Sequence, residues 1–363
     1  MRPATIVVAF VFALVLALVF GAAAPERATA QTAQAAPQPN KGTVITDTVW
    51  SQALGASKSL VVYLPPSYRS DRTRRFPVAY YLHGLGGDET DWTVAGRIGQ
   101  VMDSLVAAGK PEMIIAMPDG DDSWYATYNV LLDAAGCRRM LRTGGNADHD
   151  CVAWPHYDDY IAFDVVRHMD GKYRTTAAAT ARAIAGLSMG GYGAFTLALQ
   201  YPATFSAAAS HSGVLSPMEF APPPFGRGLF ARSPADSATA ASFGARNAER
   251  FRVIFGADSS SWRARDPAMI ALRLAERLAA RLAARLVARP DERGGKIPAL
   301  YADGGTGDFF LAESRAFVAA VESQSVPVEY HEWPGGHDWV YWRAHVGESL
   351  AWIGARITAP VTR

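Results

Sequence analysis

The stretch AIAGLSMGGYGAF, residues 183–195, sets a single serine among glycines directly after an apolar run. Glycine-rich turns often carry a serine for its turn chemistry alone. Gly186-Leu187-Ser188-Met189-Gly190 has a second reading, in which a strand ends, the chain reverses tightly and a helix begins. Such a turn lifts the Ser188 hydroxyl out of the sheet. The helix that follows brings its unpaired N–H groups and the positive end of its dipole beside that hydroxyl. A serine so placed can attack an acyl carbon, provided a base takes its proton and an acid orients the base.

In that arrangement an acid and then a histidine follow the serine along the chain. The later histidines are His211, His331, His337 and His345. His337 stands in WPGGHDWVYW, just past an apolar run at 327–333, where Gly335 and Gly336 let a loop carry the imidazole over the sheet edge. His331 lies within that run and His345 in the helix after it, so both read as structural. His211 falls too close behind the serine strand for this order and is a candidate for the pocket lining. For the acid, YADGGTGDFF places Asp308 on a loop that GGTG carries outward, with Asp303 nearer the strand end. Asp258, in FGADSS one strand earlier, is the alternative, and Asp338 reads as a helix N-cap. The developing oxyanion needs two backbone donors. Met189 supplies one; the glycine loop of YLHGLGG (81–87) supplies the other, from Leu85 or alternatively Gly84.

These residues need a scaffold that presents them at one edge. Short apolar runs bounded by Gly and Pro occur at 43–49, 59–65, 77–83, 112–118, 181–187, 206–212, 251–256, 297–302 and 327–333. Several are apolar throughout, as strands buried on both faces are. Helix patterns occupy 96–109, 159–172, 190–200, 267–289, 312–325 and 339–357. The alternation predicts an α/β fold: a mostly parallel central sheet with helices on both faces. Two stretches without period interrupt it, 133–156 and the Pro/Ala-rich 215–250; segments of that length are lids, binding loops or disordered linkers. In 267–289, Asp266 is placed to cap and Pro267 to open a helix. Its arginines at 273, 277, 281, 285 and 289 run beside leucines at 274, 278, 282 and 286. That is a surface helix with a solvated basic face.

Arg2, the apolar run 6–20 and the small residues ending in Ala28 and Ala30 predict a signal peptide over 1–30. A low-complexity linker (31–42) and a single catalytic domain (43–360) follow, with no stable membrane span once the signal is removed. The expected location is secreted, periplasmic or in the cell envelope. In such a compartment the only two cysteines, Cys137 and Cys151, are expected to pair, contributing about 3 kcal/mol by chain entropy. A net charge of +1 implies no nucleic-acid partner. The sequence has neither C-x-x-C nor H-E-x-x-H, and the acidic run 119–122 lacks a calcium-loop pattern, so no metal and no cofactor are expected.

The segments HGLGG, MPDGDDSWY, YDDYIAFDVVRHMDGKYRT, AGLSMGGYGAFTLALQYPATFSAAASHSG, GTGDFF and PGGHDWVYWR spread over roughly residues 58–345. Together they resemble the putative-esterase (esterase D-like) family of α/β-hydrolases, which includes S-formylglutathione hydrolases, feruloyl and acetyl-xylan esterases and mycolyltransferases. The resemblance implies the α/β-hydrolase fold and a triad of Ser188, Asp308 and His337. It also implies an acyl pocket lined by Asp119, Ser123, Trp124 and Tyr125, with His83, Gly84 and His211 as further substrate-binding candidates. The expected activity is hydrolysis of a small-molecule or carbohydrate ester through an acyl-enzyme. Transfer of the acyl group to a sugar or lipid hydroxyl is the alternative, and a non-catalytic binding protein on the same fold is a more remote one.

Overall fold

Eight of the nine apolar runs become strands of one sheet in a computed structural model that describes residues 41–128, 155–219, 234–256, 258–285 and 296–357. They are β1 (Thr43–Ser51), β2 (Ala56–Leu64), β3 (Val78–Leu82), β4 (Ile114–Pro118), β5 (Arg182–Leu187), β6 (Ala207–His211), β7 (Ala299–Gly305) and β8 (Val328–Trp333). Their order across the sheet is β1-β2-β4-β3-β5-β6-β7-β8. β1 pairs antiparallel with β2, and β2 with β4; every pair from β4 to β8 is parallel.

The central strands are buried on both faces, which is why they read as unbroken apolar runs. Tyr80 and Leu82 of β3 pack into one core, whereas Ala79 and Tyr81 pack into the other. Helices α1 (Ile98–Ala107) and α9 (Trp339–Gly354) cover the second face. The first face is covered by the segment Tyr157–Lys172, which ends in α2 (Val166–Lys172), by α3 (Met189–Gln200) and by α8 (Leu311–Glu322).

Between β6 and β7 the chain differs from expectation. Residues 251–256 form the end of a helix and not a strand. Phe251, Ile254 and Phe255 are β-favouring types, but their three- and four-residue spacing puts all three on the buried face of α5 (Ala248–Phe255). Part of the stretch 215–250 that lacked a visible period is also helical, as α4 (Pro234–Arg246). Its Ser, Ala and Gly content hides the period, although Phe243 packs against the core. Helices α6 (Ser259–Arg265) and α7 (Pro267–Arg285) follow. Ile270, Ala271 and Leu274 bury one face of α7, and Arg273 donates to the carbonyls of Arg263 and Ala264 at the end of α6. The expected continuation of this helix to 289, the signal segment 1–30, most of the 31–42 linker, Cys137 and Cys151 lie outside the described residues. Among the described residues no helix is long and apolar enough to cross a membrane.

Asp266 directly precedes α7 and is buried. Its Oδ1 accepts from Met269 N–H (3.2 Å), and its Oδ2 accepts from Ser216 Oγ (3.0 Å) and Met218 N–H (3.3 Å). Burial nevertheless pushes its carboxyl up to about 6. The unfolded chain ionises this group near pH ~3.9 while the folded one still holds its proton. Stability therefore falls as pH rises between those two values and is level above them. Asp266→Asn removes the titration, so its stability relative to the parent should rise by up to about 3 kcal/mol from about pH 4 to about pH 7. Urea unfolding at each pH reads this directly, and a constant difference between the two proteins refutes it.

Candidate active site

Ser188 joins β5 to α3 with φ 51° and ψ −116°, a conformation that side-chain-bearing residues rarely adopt. The turn can close because Gly186 and Gly190 lie against neighbouring backbone. A Cβ on Gly190 would stand 2.4 Å from the Leu82 carbonyl oxygen, and one on Gly186 would stand 2.4 Å from Gly190 itself. Ser188 N–H donates to His211 O (2.9 Å), and Tyr192 N–H donates to Ser188 O (3.0 Å), holding the turn from both sides.

His337 leaves the loop between β8 and α9, and its Nε2 stands 2.9 Å from Ser188 Oγ. Its Nδ1 is 3.0 Å and 2.9 Å from the two carboxylate oxygens of Asp308. Asp308 lies on the loop after β7 and is almost wholly buried. That loop is pinned to the histidine loop by Thr306 N–H to Trp333 O and Gly307 N–H to Gly335 O, each 2.8 Å. Phe310 N–H donates to Asp308 Oδ1 (2.8 Å), so the carboxylate is held as well as the imidazole. The rings of Phe309, Phe310 and Trp342 surround His337 at centroid distances of 4.9–5.3 Å. Asp338 caps α9, accepting from Val340 and Tyr341 N–H, as its position predicts.

A cleft of about 360 Å³ opens over the serine. One wall is the glycine loop 84–87, including Leu85, with Asp91 beside it; the aromatic wall is Phe243, Phe309, Phe310, Trp339 and Trp342. Sequence reasoning did not find the aromatic wall. The pair Trp339 and Trp342 was legible only as helix, and Phe243 lay in the segment without a period.

The residues of MPDGDDSWY do not line this cleft. Trp124 and Tyr125 are core side chains: Trp124 packs edge-on against Tyr192, Phe251 and Phe255, and Tyr125 donates to His83 O (3.0 Å). Ser123 is buried too and donates to Gly120 O. Asp119 turns away to the buried Lys58, 2.8 Å off, which also meets Asp121 at 2.7 Å. Burial opposes the charge on Lys58, but the two carboxylates hold its ammonium above its ordinary range. These contacts tie Asp119 and Asp121 of the acidic run to a buried cation. His83 stands behind the glycine loop, where its Nδ1 is 2.8 Å from Gly84 O and its Nε2 accepts from Gly120 N–H. His211 is buried between Asp303 (Nδ1 to Oδ2, 2.7 Å) and Ser349 (Nε2 to Oγ, 2.8 Å), outside the cleft lining. That contact accounts for Asp303, which lies within β7 itself. Asp258 is an exposed N-cap of α6 and accepts from Ser260 and Ser261. His331 and His345 both stack on Trp333. Among the described residues the one group with metal-ligand spacing is His156, Asp158 and Asp159, which is not part of the cleft.

The "Putative esterase" family model matches residues 51–353. The chain belongs to this family. Esterase Rv1288 of Mycobacterium tuberculosis (strain ATCC 25618 / H37Rv) is 29% identical over 292 residues, covering 79% of this chain and 54% of that protein. The chain thus spans about half the length of that relative. The acetyl esterase of Caldicellulosiruptor saccharolyticus is 24% identical over 275 residues, 76% of this chain and 82% of that one. A solved ferulic acid esterase superposes with a TM-score of 0.61 at 23% identity, covering 88% of this chain and 99% of that one. The eight-stranded, mostly parallel sheet of this family member is the α/β-hydrolase fold.

The close approach at the serine turn has a direct consequence. In Gly190→Ala the new methyl meets the Leu82 and His83 carbonyl oxygens at 2.4 and 2.6 Å, backbone atoms that cannot swing aside. This substitution should cost about 3 kcal/mol or more, as severe overpacking does. Gly171→Ala, where nothing lies within 4 Å and the backbone is helical, should be neutral or stabilising by up to about 1 kcal/mol. Thermal melts of the two variants beside the parent check the contrast, and equal stabilities contradict it.

Proposed function

We propose that this chain is an exported serine carboxylic-ester hydrolase. The observation that carries the reading is the chain of contacts from Ser188 Oγ to His337 Nε2 and from His337 Nδ1 to both oxygens of Asp308. In the reaction, Ser188 Oγ bonds to the ester carbonyl carbon while His337 Nε2 takes the hydroxyl proton. The negative charge that develops on the carbonyl oxygen is met by backbone N–H groups. Met189 is the first residue of α3, where a helix N–H lacks an intrahelical partner. In the glycine loop, Gly86 N–H is used by Asp122 and Gly87 N–H by Gly84 O; of the remaining amides, Leu85 is the proposed second donor and Gly84 the alternative. Each such donor contributes about 10²–10³ in rate. The tetrahedral adduct collapses, the C–O bond to the alcohol breaks, and the imidazolium returns its proton to the departing oxygen. A water deprotonated by His337 then attacks the acyl-serine and releases the acid. Asp308 fixes the tautomer with Nδ1–H and stabilises the imidazolium.

The cleft supports a substrate class as well. Its aromatic wall and modest volume suit a short or flat acyl group, so acetyl and hydroxycinnamoyl esters of carbohydrates are the proposed substrates. The names of the two relatives above, an acetyl esterase and a ferulic acid esterase, agree with that class.

Ser188→Ala should abolish hydrolysis of p-nitrophenyl acetate, by about 10⁶-fold, with an unchanged circular-dichroism spectrum. Asp308→Asn should lower kcat by about 10³–10⁴-fold, whereas Asp258→Asn, which keeps an N-cap residue, should stay within about twofold. A larger loss for Asp258→Asn moves the acid to that residue. Hydrolysis and transfer separate when a carbohydrate ester is supplied with excess sugar alcohol: free acid should dominate, and dominant transferred ester makes the protein an acyltransferase. For Cys137 and Cys151, thiol titration of the unfolded, unreduced exported protein should find no free thiol; two reactive thiols overturn the pairing.

A further inference from the structure

The turn after β4 holds three residues other than glycine in the left-handed region: Asp121 (φ 46°), Trp124 (56°) and Tyr125 (51°). Side chains of this size stay there only where the surroundings over-determine the conformation. Those surroundings are visible. Lys58 and the Tyr157 hydroxyl hold Asp121, the cage of Tyr192, Phe251 and Phe255 holds Trp124, and His83 O holds the Tyr125 hydroxyl. The proposed reaction uses none of these residues.

The strained turn delivers one further side chain, Asp122. Its Oδ1 accepts from the backbone N–H of Gly86, and its Oδ2 lies 3.1 Å from Arg250 Nη2. Gly86 directly follows Leu85 in the loop beside Ser188. Arg250 belongs to α5, and the α4–α5 junction is closed by Asn247, whose N–H and Nδ2 both donate to Phe243 O. Phe243 in turn lines the cleft. One carboxylate therefore spans the glycine loop on one side and the helical insertion on the other. Both partners are largely buried, with side chains 24% (Asp122) and 19% (Arg250) exposed, so solvent screens this pair less than a surface one.

We propose that Asp122 is a positioning residue that sets the direction of the Leu85 amide through its neighbour Gly86. Arg250 makes that setting depend on where the insertion α4–α5 lies. A substrate that seats well against Phe243 holds Arg250 in place and thereby firms the loop that meets the developing oxyanion. The inference rests on the serine-esterase reading and deepens it: specificity at the aromatic wall is expressed in turnover as well as in binding. A donor misdirected by a fraction of an ångström loses its contribution in the transition state while ground-state binding persists.

The test reads kcat and KM for a soluble ester, together with the affinity of a trifluoromethyl ketone that adds to Ser188 and forms an oxyanion at the same place. Asp122→Ala should lower kcat by about tenfold or more, leave KM within about twofold and weaken the ketone by the same factor as kcat. Asp122→Asn keeps an oxygen for Gly86 N–H and loses the charge for Arg250, so it should match Arg250→Ala, with a smaller loss. Arg250→Lys should recover most of the activity. Combining Asp122→Asn with Arg250→Ala should cost no more than either change alone. An unchanged kcat in Asp122→Ala, or a kcat loss that the ketone affinity does not follow, overturns the proposal. A neutral Arg250→Ala overturns the link to the insertion. Should Asp122→Ala fail to fold, the Asn and Arg250 variants carry the same comparison. A parent protein that does not bind the ketone overturns the serine reading itself, which keeps the two failures apart.

Discussion

The structure depends on the backbone at Ser188. A serine at φ 51° and ψ −116° carries strain of the order of 1–3 kcal/mol, and it persists only because the elements on either side leave the chain no other course. β5 lies between β3 and β6 with every residue buried, and α3 is buried from Met189 through Leu199. A strand and a helix fixed that firmly determine the turn between them. Gly186 and Gly190 lie where any side chain would overlap the neighbouring backbone, so the turn is closed at the tightest packing the chain allows.

The same constraint assigns roles to buried polar residues that resemble reactive ones. His211, Asp303 and Ser349 lie within hydrogen-bonding distance in sequence, with Tyr341 donating to Asp303 and the Tyr81 hydroxyl meeting Ser349. Types alone would make this a second serine–histidine–acid set. Burial separates the two: His211, Asp303 and Ser349 are wholly enclosed, while Ser188 and His337 both line the cleft. The enclosed set ties β6, β7, β3 and α9 together beneath the turn, and His211 O takes the Ser188 N–H. A chain of close polar contacts in a low-dielectric interior is costly to break, so it braces the strand ends from which the cleft residues rise.

Legibility in the sequence followed from how strongly each position was constrained. Eight strands, Ser188, His337 and Asp308 were readable because each stands at a strand end where Gly, Pro and alternation with helices leave local marks. The Asp338 cap carries a signal of the same kind. The aromatic wall had none: Trp339 and Trp342 belong to an ordinary helical period, and only the position of α9 turns them toward the serine. Residues 251–256 misled because β-branched and aromatic types outweighed a helical spacing too short to register. Trp124 and Tyr125 misled in the opposite sense. They sit in a loop next to the site, yet the loop turns inward and spends both rings on the core. Lys58 was invisible as a buried cation because a single lysine in a strand looks like an outward position, and only Asp119 and Asp121 from a different segment explain it.

These differences divide the molecule into two kinds of surface around one cleft. The contacts among Ser188, His337 and Asp308 come from loops that parallel strands hold at one edge of the sheet, where small displacements would break backbone packing. Part of the wall facing a bound group comes instead from α4, through Phe243, and α4 and α5 are inserted between β6 and β7 without joining the sheet. An insertion can change its sequence, and the shape it gives the cleft, without disturbing β5, β7 or β8. A relative can therefore share this sheet at low identity while presenting a different wall, and at 23% identity the common feature is the fold. The contact between Asp122 and Arg250 is one place where the insertion touches the turn beside the glycine loop. A change in α5 that loses the guanidinium alters the glycine loop as well as the wall. For this chain, the shape of the cleft and the geometry beside Ser188 are not independent variables.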